Sequence, residues 1–105
     1  KRLLILGGYG NTGRLIAGLL LQESNVRLVV AGRNRARAER LANELNEEYP
    51  GSRVRAAYAD ASLPDPLHNA LEGLDMLVVA SATAEFSRQV AETALQAGVD
   101  YVDFI

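Results

Sequence analysis

Cysteine is absent from the 105 residues, which excludes disulfides, thiolate chemistry and Cys-built metal sites and permits a reducing compartment. Any redox chemistry here therefore needs a bound cofactor. Lysine occurs only as Lys1 and histidine only as His68, and the chain offers no Tyr-x-x-x-Lys pair, no nucleophile–base pair and no metal-ligand cluster. No catalytic residue and no metal are assigned. His68 falls in a short predicted helix away from the expected crevice and reads as a surface residue. The longest apolar stretch, Leu15 to Leu21, is interrupted by Gly18 and is far short of the roughly 20 residues a membrane span needs. No signal peptide is visible, because the first residues already read as strand, and a cytoplasmic setting is expected.

The net charge of -2, with 23% charged and 49% apolar residues, gives no bulk attraction to nucleic acid or to a membrane surface. Neither is expected as a partner, and an anion site must be local. A chain of this length fits one domain and buries about two-thirds of its unfolded surface, enough for a core. It opens at Lys1 almost inside one strand and stops at Ile105 inside another, as an N-terminal piece of a longer protein would.

What is present is an apolar run, Leu3 to Leu6, passing directly into a Gly-x-Gly-x-x-Gly turn at Gly8, Gly10 and Gly13 and then into helix-forming sequence. Among nine glycines that spacing alone is weak. Its position strengthens it: Gly8 allows a tight bend, Gly10 lets backbone approach a pyrophosphate, and Gly13 lets the helix pack close to the strand. Asn11 and Thr12 complete this candidate phosphate site, where free N–H groups and the positive end of the helix dipole face the anion. The plainer alternative is an ordinary glycine-rich turn between strand and helix.

The remainder alternates. After a helix with Leu15, Ile16, Leu19 and Leu20 at helical spacing, strands are predicted at Val26–Ala31, Arg53–Tyr58, Met76–Ala80 and Asp100–Phe104. Helices are predicted from Asn34, as cap, to Glu48, with Ala38, Leu41, Ala42 and Leu45 on one face, then from Pro64 toward Gly73, then from Ala84 to Ala97. In the last of these Phe86, Val90, Ala94 and Leu95 form the apolar set and Gly98 the stop. Five strands with short helical crossovers predict an α/β fold: a Rossmann-type doubly wound parallel sheet, order 3-2-1-4-5, with helices on both faces.

In such folds an acidic residue about 20 residues past the glycines binds the adenosine ribose. Gly32-Arg33 stands there instead, giving room and a forked donor for a 2′-phosphate, so the expected cofactor is NADP rather than NAD. The next helix carries Arg35, Arg37 and Arg40 near its start and Glu44, Glu47 and Glu48 near its end, against its dipole. A bound phosphate at Arg33 and Arg37, with Asn34 beside them, is one explanation; a solvated face with an Arg40–Glu44 pair is the other, and it is expected for Arg40. Asp60 follows the third strand and either meets the adenine or caps the next turn. Ser81, in Ser81-Ala82-Thr83, follows the fourth strand where the nicotinamide half passes, although Ser81 or Thr83 would equally serve as a helix cap. Asp103 faces either the site or a further domain.

Gly7-Gly8-Tyr9-Gly10-Asn11-Thr12-Gly13, Ala31-Gly32-Arg33-Asn34 and Ala97-Gly98-Val99-Asp100-Tyr101-Val102-Asp103 together resemble the NADP-binding domain of the saccharopine dehydrogenase-like family along essentially the whole chain. The resemblance implies Gly8, Gly10 and Gly13 at the pyrophosphate, Arg33 at the 2′-phosphate, and Tyr101 to Asp103 as the exit toward a second domain that completes the substrate site and often a homodimer. It implies an oxidoreductase, without naming a substrate. The atypical short-chain family that includes nitrogen metabolite repression regulators is similar at Gly10-Asn11-Thr12-Gly13-Arg14 and implies NADP sensing without catalysis. The Gly98-to-Asp103 segment fits the saccharopine type better, since the short-chain type more often puts a basic residue where Asp100 stands. A third possibility is a fold that has lost nucleotide binding and serves as an interaction domain.

Overall fold

A computed structural model describes residues 1–7, 11–60, 62–80 and 87–103, and among these not the side chains of Asn11, Thr12, Pro64, Ser87 and Asp103. The elements run β1 Arg2–Leu6, α1 Asn11–Glu23, β2 Arg27–Gly32, α2 Arg35–Glu48, β3 Val54–Tyr58, α3 Pro64–Ala70, β4 Met76–Val79, α4 Ser87–Gln96 and β5 Asp100–Asp103. All four strand pairings are parallel and the sheet order is β3-β2-β1-β4-β5, as the alternation predicts.

Strands buried on both faces need apolar residues at successive positions, and β1, β2 and β4 have them past their first residue. Leu3 to Leu6, Leu28 to Ala31 and Leu77 to Val79 are all buried. Their alternation divides the core in two. Leu3, Ile5, Leu28, Val30 and Val78 pack under α1 and α2, against Ala17, Leu21, Ala38, Leu41, Ala42 and Leu45. Leu4, Leu6, Val29, Leu77 and Val79 pack under α3 and α4, against Leu67, Leu71, Val90 and Ala94.

Two helices turn differently from the apolar sets read in the sequence. In α1 the sheet-facing stripe is Gly13, Ala17 and Leu21, flanked by the partly buried Ile16 and Leu20, while Leu15 and Leu19 are 64% and 51% exposed. Apolar side chains surround this helix, so spacing alone leaves its rotation undecided; the small residues face the sheet because they let the axis come close. In α4, Val90, Thr93 and Ala94 are buried and Leu95 is 80% exposed. Thr93 is tolerated there because its hydroxyl donates to the Gln89 carbonyl at 2.8 Å.

Glycine closes the segments after the helices. Gly73 and Gly98 have φ of 77° and 71°, and the Gly98 N–H donates back to the Leu95 carbonyl. The predicted helix start at Ala84, with Phe86, and the strand end at Phe104 lie outside the described residues; α4 is described from Ser87 and β5 to Asp103. No described helix is long and apolar enough to cross a membrane.

Candidate functional site

The chain order reverses at β1, which has β2 and β3 on one side and β4 and β5 on the other. Ligands of open parallel sheets lie outside the carboxyl ends of the strands at that point. Register brings those ends together, with Leu6 beside Ala31 and beside Val79. Beyond β1 the Gly7 N–H donates to the Ala31 carbonyl at 2.7 Å, and Gly7 takes φ 78°, a left-handed conformation costly for residues with a Cβ. The tight departure from the strand is thus made at Gly7, which the spacing rule passes over; the signal was a glycine directly after the last strand residue.

The predicted Gly8, Gly10 and Ser81 lie outside the described residues, as do the side chains of Asn11 and Thr12. The backbone of Asn11 and Thr12 opens α1 at the same sheet edge, and Gly13 in its first turn is buried, as close packing of helix on strand requires.

At the end of β2, Gly32 is buried and Arg33 exposed. Asn34 is extended, φ -107° and ψ 97°, and its Oδ1 accepts the Arg37 N–H at 3.1 Å, so its side chain caps α2. The cap fixes where α2 begins and sets Arg33 and Arg37 on either side of it, both exposed. Across the edge, the Ala59 N–H donates to the Gly32 carbonyl at 3.1 Å, which brings Asp60 next to Arg33. The structure therefore gathers Gly13, Arg33, Asn34, Arg37 and Asp60 at one edge of the sheet.

Asp60 is committed to its own turn. Its Oδ1 accepts from the Ser62 hydroxyl at 2.6 Å and the Ser62 N–H at 2.9 Å. These bonds, the hydroxyl first, hold the carboxyl below its ordinary 3.8; partial burial opposes them and the Arg33 charge adds a smaller downward pull. The turn-capping expected of Asp60 is observed, and Asp-x-Ser was its sequence signal.

The predicted Arg40–Glu44 pair is not formed. Glu44 is instead 2.8 Å from Arg14 of α1, and Arg35 pairs with Glu39 at 3.2 Å. Helix α2 carries Glu44 toward α1, so an interhelical partner displaces the one a turn away. Part of the reversed charge order along α2 thus has a local explanation; Arg33 has no such pair among the described residues.

The model of the saccharopine dehydrogenase NADP binding domain matches residues 3–105. The chain belongs to that family. Family membership agrees with the edge just described, where glycine and arginine replace glycine and acid. No curated protein matches. Among solved structures, apo saccharopine dehydrogenase (L-Glu forming) from Saccharomyces cerevisiae is similar with a TM-score of 0.80 and 23% identity over 98% of this chain and 21% of that one. An NADPH-dependent quinone oxidoreductase from Escherichia coli is similar with a TM-score of 0.72 and 26% identity, over 95% of this chain and 33% of that one. A short-chain dehydrogenase/reductase (wide type) from Veillonella parvula, in complex with NADP, gives 0.77 and 17%, over 98% of this chain and 46% of that one. At such identities the first and third speak for the fold alone. The chain spans between 21% and 46% of the length of these three proteins.

Proposed function

We propose that this chain binds NADP as the cofactor domain of an NADP-dependent oxidoreductase whose substrate groups come from a second domain. The observation that carries the reading is Arg33: an exposed guanidinium directly after a buried glycine at the carboxyl end of β2, where an acid would select NAD. Its planar fork suits a 2′-phosphate, and Arg37, one turn into α2, is placed for the same charge. Asn34 holds the two arginines in relation to each other through its cap. Asp60, turned into its own Ser62 bonds, borders the adenine side by its backbone.

In this reading Gly8, Gly10, Asn11, Thr12 and Gly13 hold the pyrophosphate, which the position of the turn between β1 and α1 supports, and Ser81, after β4, borders the nicotinamide side. When bound, the dinucleotide supplies hydride transfer. This domain contributes orientation and charge, and no catalytic residue in it is proposed. A cytoplasmic setting and a homodimer made through the second domain go with this reading.

Calorimetric titration with NADP(H) and NAD(H) tests it. Saturable binding of NADP(H) in preference to NAD(H) is expected. No heat with either ligand overturns the cofactor assignment, and preference for NAD(H) overturns the role of Arg33. NADP binding by a full-length protein without a reductase activity would favour the sensing regulator.

A further inference from the structure

The opposite edge of the sheet carries a second arginine cluster that the cofactor does not use. Arg2 of β1 and Arg27 of β2 are direct cross-strand neighbours, and Arg55 of β3 is in register with Val29, two residues beyond Arg27. Side chains alternate along strands, and Leu4 and Val29 face α3 and α4, so Arg2, Arg27 and Arg55 stand on that same face. They border a cavity of about 260 Å³ together with Arg53, Ser52 and Leu74.

No carboxylate lines this cavity among the described residues. The Asp75 carboxylate accepts the backbone N–H of Arg2 at 2.8 Å. Arg53 is occupied, donating to the carbonyl of Leu21 in the last turn of α1 and to those of Ser24 and Val26 in the connection to β2. Arg2, Arg27 and Arg55 form none of the ion pairs found among the described residues. Like charges side by side across strands repel, and a negative counter-charge turns that cost into attraction.

We infer that this amino-end cavity is a second anion site, for a small oligophosphate held between the guanidinium forks of Arg2, Arg27 and Arg55. Forked donors match phosphoryl oxygens in pairs, and three of them match a ligand with several charges better than a single carboxylate. The site is at the far end of the strands from Arg33, so neither assignment depends on the other.

The test is titration of the full chain with inorganic tripolyphosphate, followed by NMR at the arginine Nε–Hε groups, in parallel with Arg27→Gln/Arg55→Gln and Arg33→Ala. Saturable shifts at Arg2, Arg27 and Arg55 are expected. The double variant should weaken them by about tenfold or more, as loss of charge-assisted bonds implies, and Arg33→Ala should leave them within about twofold. NADP should not reproduce them. Shifts confined to Arg33 and Arg37, shifts that rise without saturating, equal affinity in the double variant, or the same shifts with NADP would each overturn the inference. The single Arg55→Gln carries the same comparison should the double variant fail to fold.

Discussion

Arginine marks both ends of β2, and the two ends are different electrostatic places. At the amino end α1 finishes, and its last carbonyls point out with the negative end of the helix dipole; Arg53 takes three carbonyls of that segment. At the carboxyl end α2 begins, with no acid in its first turn and with Arg33, Arg35 and Arg37 adding positive charge to a positive pole. Arg53, at the first end, finds backbone partners already in place. Arg33, at the second, is exposed where α2 begins and takes part in none of the ion pairs found among the described residues. The same residue type is therefore a fastener at Arg53 and an exposed charge at Arg33.

The contrast is open to direct attack. The largest effect is expected from Arg53→Ala, which leaves the Leu21, Ser24 and Val26 carbonyls without this donor: a loss of about 2–4 kcal/mol in urea unfolding. Arg27→Ala, exposed on the same edge, should change stability by no more than about 0.5 kcal/mol. If the two variants are equally mild, Arg53 is not the fastener described. Arg33→Ala should do the reverse, leaving unfolding unchanged while weakening NADP by about 1.5–3 kcal/mol in calorimetry and sparing NAD.

Asn34→Ala should then cost about 1 kcal/mol of stability, and Asn34→Gly only a few tenths, since glycine is itself a tolerated cap. The smallest effect belongs to Asp60. Its carboxyl sits below 3.8 in the folded chain, so folding favours the ionised form, and the gain is complete above 3.8 and disappears as pH falls through the lower folded value. The difference in Tm between the parent and Asp60→Asn should therefore be flat near neutrality and close up in acid; a gap that widens in acid would contradict the sign.

The fold was legible because the three central strands are continuous apolar runs past their first residues and because Pro50-Gly51, Gly73 and Gly98 fall between elements. Five strands, their order and the cap at Asn34 follow from periodicity and turn chemistry alone. Helix rotation was not legible in α1 and α4. Leu15, Leu19 and Leu95 satisfy a helical repeat as well as the residues that are buried, and what decides is how near the helix must come to the sheet. Of the site, Arg33 and Arg37 were readable from their position after β2. The bend at Gly7 and the Ser62 bonds of Asp60 had only short local signals, a glycine after the strand and Asp-x-Ser, and the Arg14–Glu44 bridge had none, because it depends on a partner in another helix that residue spacing does not encode.

Three amides just past the strand ends, those of Gly7, Ala59 and Ala80, donate to the carbonyls of Ala31, Gly32 and Leu6 at 2.7, 3.1 and 3.0 Å. The ladder thus continues one rung into the connections that leave the ligand edge. Hydrogen exchange at these amides should follow the slow pace of the central strands rather than that of surface loops. Each connection then starts from a pinned point, so its sequence can be rewritten without disturbing the sheet. A scaffold of this kind can change its ligand by replacing loops alone.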